Sequence, residues 1–289
     1  MNKAFRFIRT RDAVMRGIFM FCAGFSVFAL GCICVFLFAE GVPFIFKTGF
    51  ANFFGKTWNL HEEAYGILSM IITSLYVTAL SAVIGVVTGL LSAVGLYKFC
   101  PVKAVPAIRQ MINLLAGIPS VIYGLFGIVV IVPFLRDKVS QSGVGYGILA
   151  ASLVLSVMIM PTIVSVSLDA LNAVPKSYYE GALALGATKE QSVFKVMLPA
   201  AKSGIFAAVV LAVGRAVGET MAVIMVIGGS PAMPRSLFQS VRTLTANIAM
   251  GATELRGDAE TALVATGVVL FFFILLLNIS FSLLKGDKR

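Results

Sequence analysis

Arg215 and Glu219 stand four residues apart in a run, 203–228, that holds no other charge. On a helix that spacing puts both side chains on one face, close enough to pair. Arg215 lies 12 residues into the run, which at 1.5 Å per residue is roughly 18 Å, close to the midplane of a ~30 Å hydrocarbon core. A charge at that depth costs at least ~2.5–3.5 kcal/mol on insertion scales, so both groups must face protein or water. Two roles fit. The pair can pin its helix to a neighbour. Alternatively, Arg215 offers a guanidinium fork to a tetrahedral oxyanion, Glu219 orients it and tempers its grip, and Thr220 adds a hydroxyl. Gly214 and Gly218 thin the adjacent surface, so a helix or a substrate can come near.

Other candidate chemistry is sparse. The segment 229–260 carries Arg242 with Thr243 and Thr245, flanked by Arg235 and Arg256. It reads either as part of an outer gate or as a solvated loop. His61 is the only histidine, beside Glu62 and Glu63, and reads as part of a wet loop rather than a metal site. Cys22, Cys32, Cys34 and Cys100 show neither metal-ligand spacing nor a disulfide framework, and read as small buried hydrophobes. The cluster of catalytic His, Asp or Cys that a membrane-bound phosphatase or transferase needs is missing from the sequence. No obvious internal repeat or set of intramembrane acids supports a self-contained secondary transporter.

The elements that must position these residues follow from composition. Of 289 residues, 59% are hydrophobic and 12% charged, and the mean hydropathy is +0.97. So few charges cannot cover a water-soluble enzyme, and so much apolar surface excludes disorder. Six uncharged or nearly uncharged runs predict six transmembrane helices in an all-α bundle: 17–39, 64–97 (span 68–96), 110–135, 139–168 (span from about 145), 203–228 and 261–284. A cleaved signal is disfavoured, because the first run exceeds a secretory h-region. The glycine pairs Gly85/Gly89, Gly143/Gly147 and Gly214/Gly218 predict close helix approach. Pro119, Pro133 and Pro161 predict kinks or breaks.

The net charge of +10 reflects topology rather than nucleic-acid binding. Fifteen of the 23 basic residues fall in the N-terminal arm, the second and fourth connections and the C-terminal tail, and seven on the other side. The positive-inside rule then puts both termini in the cytoplasm. We divide the chain into residues 1–60 (cytoplasmic segment, first span and outer loop) and a transmembrane core, 61–289, with a cytoplasmic loop at 169–202.

That loop carries the most information. Ser177 precedes Glu180 by three residues and Thr188 precedes Gln191 by three, two capping-box patterns separated by the helix breaker Gly186. They predict a short helix, a glycine turn and a second helix reaching Leu198-Pro199. Gly181, Ala182, Ala184, Gly186 and Ala187 make a low-relief surface suited to a groove on another protein. Gly181 and Gly186 have P-loop spacing, but Ala187-Thr188 stands where lysine and Ser/Thr are needed, so no nucleotide site is expected.

Glu180-Gly181-Ala182, then Gly186, then Val196-Met197-Leu198-Pro199 resembles the EAA motif of ABC importer permeases, with Gly181 and Val196 departing from the usual alanine and isoleucine. The runs AGIPSVIYGLFG (116–127), MIMPTIVSVSLDALNAVP (158–175), ALALGAT (182–188), GRAVGETMAV (214–223) and VRTLTANIA (241–249) are similar to the PstC-type permease family of phosphate importers. The resemblance covers residues from about 65 to the end. It implies a type I ABC importer permease-like fold in the cytoplasmic (inner) membrane and a non-catalytic subunit moving inorganic phosphate. No cofactor is expected in this chain, with ATP and Mg2+ on a partner. The implied partners are a PstA-type second permease, an ABC ATPase dimer and an extracytoplasmic phosphate-binding protein. It also implies ATPase coupling through Glu180, Gly181, Ala182, Gly186, Leu198 and Pro199, and a substrate pathway at Arg215, Glu219 and Thr220. A permease for sulfate or molybdate is the alternative, since an Arg–Glu pair alone does not choose among tetrahedral anions.

Overall fold

In lipid every backbone N–H and C=O must be paired within the chain, so apolar runs of this length fold as helices. The computed structural model describes residues 2–60, 62–140 and 143–285; side chains of residues 1–11, 13 and 284–289 lie outside the description. His61, and with it the reading of that loop as wet rather than metal-binding, lies outside the described residues.

Helix α1 (Asn2–Thr48) is followed by a short α2 (Phe50–Phe53) and a two-stranded antiparallel hairpin, β1 (Trp58–Asn59) with β2 (Ala64–Tyr65). Then come α3 (Leu68–Phe99), α4 (Val105–Ala116), α5 (Ser120–Lys138) and α6 (Ile148–Ala173). After these come α7 (Lys176–Ala184), α8 (Lys189–Ala200), α9 (Lys202–Gly218), α10 (Met221–Ile227), α11 (Leu244–Gly251) and α12 (Asp258–Lys285). Among the described residues, five helices are long and apolar enough to cross a membrane, and the pair α8–α9, bent by 70°, is the sixth candidate.

Two expected spans are divided. The run 110–135 is not one helix. Pro119 lacks an N–H and keeps the residue before it out of the helical region, so the chain breaks there. Helix α4 ends at Ala116 and the spanning helix begins at Ser120. Arg109 on α4 bridges to Asp169 on α6, while Ile112 packs with Val164 and Leu168. The run 203–228 breaks at Glu219, between α9 and α10.

Helix α6 is the centre of the bundle, buried along most of its length. Lipid tails are as apolar as leucine, so helices associate here through close packing rather than exclusion from water. Gly85 and Gly89 on α3 provide that approach, as expected: a Cβ at either would meet Ile159 at 2.8 Å or Ile163 at 2.9 Å. The other two glycine pairs differ from expectation. Gly143 and Gly147 lie in the turn before α6 with φ of +68° and +137°, where they shape a loop instead of a helix interface. Gly214 and Gly218 face open space within this chain.

The C-terminal end of α1 packs on α12, where Gly41 admits Val268, and Lys47 pairs with Asp258 at 2.7 Å. Further toward its N-terminus α1 presents exposed Phe19, Phe21, Phe25 and Phe28. Cys22 and Cys32, expected to be buried, are exposed on this stretch.

Candidate functional site

The break between α9 and α10 gathers most of the polar groups predicted from sequence. Helix α9 stops at Gly218. Glu219 is extended (φ −73°, ψ 125°), and α10 starts at Met221 after Thr220. A helix end inside the bilayer leaves carbonyls and N–H groups that need partners. Glu219 and Thr245 supply one each. The Glu219 Oε1 accepts the Ala222 N–H of α10 at 3.2 Å, and the Glu219 main-chain carbonyl accepts the Thr245 hydroxyl at 3.3 Å. Thr220 Oγ1 donates back to the Gly218 carbonyl at 3.4 Å.

The expected Arg215–Glu219 pair is not formed. The four-residue spacing presumed a continuous helix, and the backbone turns before Glu219. Its carboxylate is instead spent on the N-terminus of α10, where a negative charge suits the helix dipole. Arg215 is exposed on α9 and has no hydrogen bond or ion pair among the described residues. It lines a cleft of about 680 Å3 between α9 and α12, with Gly214 beside it and Asn278 on the opposite wall.

The segment after α10 folds back into the bundle. Gly228 and Val241 form a bridge, with Gly229 N donating to the Val241 carbonyl at 2.9 Å. Thr243 caps α11 by accepting the Ala246 N–H at 3.2 Å, and its hydroxyl lies 3.1 Å from that of Thr245. Ser74 of α3 accepts the Leu244 N–H at 3.0 Å. Thr243 and Thr245 are buried, so this part of the segment is not solvated, while Arg235 and Arg256 on either side are exposed. Arg242 is half-buried. Its Nε donates to the Gly229 carbonyl at 2.7 Å and its Nη1 to Asn247 Oδ1 at 3.0 Å, with no carboxylate within 4 Å among the described residues. Burial pushes its guanidinium below the ordinary value, yet an arginine stays charged.

The second region is the α7–α8 hairpin. Gly186 has φ +85°, Gly186 N donates to the Leu183 carbonyl at 2.9 Å and Ala187 N to the Ala182 carbonyl at 3.1 Å. This is the Schellman closure that glycine permits. Thr188 and Gln191 form the predicted capping box. Ser177 and Glu180 do not. Pro175 takes the cap position, so the helix starts two residues earlier than a Ser177 cap requires and no side chain caps it.

Glu180, Gly181, Gly186 and Pro199 are exposed and Leu198 is partly covered, while Ala182 turns inward at 9% exposure. Sequence reading passed over Leu185, the most exposed leucine of the hairpin at 90%, with Tyr178 and Phe194 beside it in the exposed set. It also passed over Lys98 at the end of α3, whose Nζ sits 4.2 Å above the Tyr179 ring and ties α7 to the bundle. Ser74, Asn247 and Asn278 were not singled out from sequence, because a small polar residue in an apolar or mixed run carries no spacing that marks a role.

Comparisons with known proteins agree with this architecture. Residues 85–287 match the family model for the binding-protein-dependent transport system inner membrane component. The probable ABC transporter permease protein YqgH of Bacillus subtilis is 40% identical over 268 residues, covering 89% of this chain and 86% of that protein. The phosphate transport system permease protein PstC of Mesorhizobium japonicum is 34% identical, covering 96% and 91%. Among solved structures, the inward facing MetNI methionine ABC transporter matches with a TM-score of 0.60 at 25% identity, covering 76% of this chain and 94% of that one. A bacterial ABC transporter involved in alginate import matches with a TM-score of 0.67 at 16% identity over 96% and 98%, a likeness of fold alone. The chain belongs to the binding-protein-dependent inner membrane component family, the multi-pass permease subunits of ABC importers.

Proposed function

We propose that this permease carries inorganic phosphate into the cytoplasm as the PstC-type half of a two-permease pathway. The observation that carries the reading is Arg215: a guanidinium with no hydrogen-bond or ion-pair partner among the described residues, deep in the membrane region, beside a cleft that α9 and α12 leave open. An unpaired cation there is tolerable only if water, a partner subunit or an anion meets it. A tetrahedral oxyanion suits the planar fork, which donates two parallel N–H bonds. The relatives named PstC at 33–34% identity point to phosphate as that anion.

On this reading Glu219 is a positioning residue. Its carboxylate and carbonyl hold the break open between α9 and α10, four residues from Arg215, and Thr220 lies at the same break. Thr243, Thr245 and Arg242 line the approach from the hairpin end, as an outer gate. The α7–α8 hairpin is the coupling element. Glu180, Gly181, Gly186, Leu198 and Pro199 lie on its surface or edge, and Leu185 is the apolar knob that a cleft on an ABC ATPase would take. ATP and Mg2+ act on that partner, and its closure moves the hairpin. A PstA-type permease faces Arg215, and an extracytoplasmic phosphate-binding protein delivers to the hairpin end. Both termini are cytoplasmic.

The test is uptake by the reconstituted complex, with labelled phosphate in competition with sulfate and molybdate. ATP-dependent uptake blocked only by unlabelled phosphate is expected. Equal competition by sulfate or molybdate would move the assignment to a broader oxyanion permease, and uptake without ATP would favour a secondary carrier.

A further inference from the structure

Arg242 has more donors than the described residues use. Of its five N–H groups, one goes to Gly229 and one to Asn247. The cavity it lines, about 250 Å3, lies at the hairpin end of the bundle, between Trp58 of β1 and the end of α11. Asn247 lines the same cavity at 1% exposure, and its Nδ2 has no hydrogen-bond partner among the described residues. A buried amide left unpaired beside a half-buried cation is unusual, because such donors are nearly always satisfied. Both donors would be satisfied by one acceptor-rich anion. Glu254 also lines this cavity and forms no ion pair with Arg242. Its carboxylate accepts hydrogen bonds and donates none.

That donor and acceptor set is selective. Inorganic phosphate keeps at least one proton at neutral pH, so it accepts from Arg242 and Asn247 while its P–OH donates to Glu254. Sulfate and molybdate carry no proton there and would meet Glu254 as a like charge, which is discrimination by repulsion. We infer that Arg242, Asn247 and Glu254 form a phosphate station at the hairpin end, separate from Arg215, which admits protonated phosphate and rejects unprotonated oxyanions. The inference rests on the reading that this permease passes phosphate. It adds a second site and places selectivity within the permease itself.

Protection of an introduced cysteine tests it. Met250 lines the cavity and reaches its surface. In a chain cleared of Cys22, Cys32, Cys34 and Cys100, Met250→Cys is assembled with its partner subunits in proteoliposomes, without binding protein. Its modification rate by an anionic methanethiosulfonate reagent is then read with inorganic phosphate or sulfate present. Phosphate is expected to slow modification several-fold and sulfate to leave it unchanged. Arg242→Gln should remove the protection. Glu254→Gln, at an exposed carboxylate with no hydrogen bond or ion pair among the described residues, should let sulfate protect as well. Phosphate that leaves the rate unchanged, in a complex whose uptake of phosphate is normal, overturns the station and leaves the transport reading standing. Equal protection by sulfate and phosphate before any substitution at Glu254 overturns the selectivity. Absence of phosphate uptake by the parent complex once binding protein and ATP are added counts against the transport reading itself.

Discussion

The Thr245 hydroxyl donates to the main-chain carbonyl of Glu219 at 3.3 Å, joining the re-entrant segment to the break in the fifth span. A carbonyl freed by a broken helix inside a membrane costs several kcal/mol if left bare. The contact therefore explains how the chain sustains an extended residue at that depth. It also links two polar regions 26 residues apart, so that a shift of the hairpin-end segment is felt at the residue where the helix breaks, four residues from Arg215.

Removing that hydroxyl should expose the carbonyl. Thr245→Val keeps the shape and deletes the donor, and is expected to cost about 1–3 kcal/mol. The melting temperature of the detergent-purified complex should fall, and Thr245→Ser should restore most of it. Equal melting of all three proteins would show that water or another group satisfies Glu219.

The α7–α8 turn makes a graded prediction. At φ +85° Gly186 needs the left-handed region, which costs other residues roughly 1–2 kcal/mol and asparagine least. Gly186→Val should insert in the membrane and lose co-purification with the ATPase, while Gly186→Asn retains much of it. Gly186→Asp should fall with the weak binders. Similar co-purification of all variants would detach this turn from coupling.

Packing between α3 and α6 can be tested by compensation. Gly85→Ala drives a methyl onto Ile159 and should destabilise by about 1–3 kcal/mol. Adding Ile159→Ala removes the clashing atoms, so the double variant should be more stable than the two single losses together predict. Simple additivity in thermal melts would mean that the helices are not in contact at this point.

Hydropathy made the long helices legible, because an uninterrupted apolar run states its own length. The Thr188–Gln191 cap and the Gly186 turn were legible too, since local spacing alone determines them. The breaks were harder. Glu219 sits in a run with no proline to mark a break, and a four-residue Arg–Glu spacing reads as a helical pair unless the backbone turn is known. Ser177 matched a cap pattern that Pro175 pre-empted. Asn247 and Leu185 lie in recognised runs but were not singled out, for opposite reasons: a buried polar residue looks like a loop residue, and an exposed leucine looks like a core one.

The proposed orientation rests on the distribution of basic residues and has a direct check. With the native cysteines replaced, Ser236→Cys near the hairpin end should react with a membrane-impermeant maleimide in intact cells or spheroplasts. Leu185→Cys should react only after permeabilisation. The reverse pattern would invert the topology and exchange the gate with the coupling hairpin.

The most direct measurement is labelled phosphate uptake by the reconstituted complex carrying Arg215→Gln, beside Arg215→Lys and the parent. The account predicts normal assembly and basal ATP hydrolysis in all three. Uptake should be lost in the glutamine variant and partly kept in the lysine variant, where the charge survives without the fork. Full uptake by Arg215→Gln would contradict the assignment of that guanidinium to the phosphate pathway.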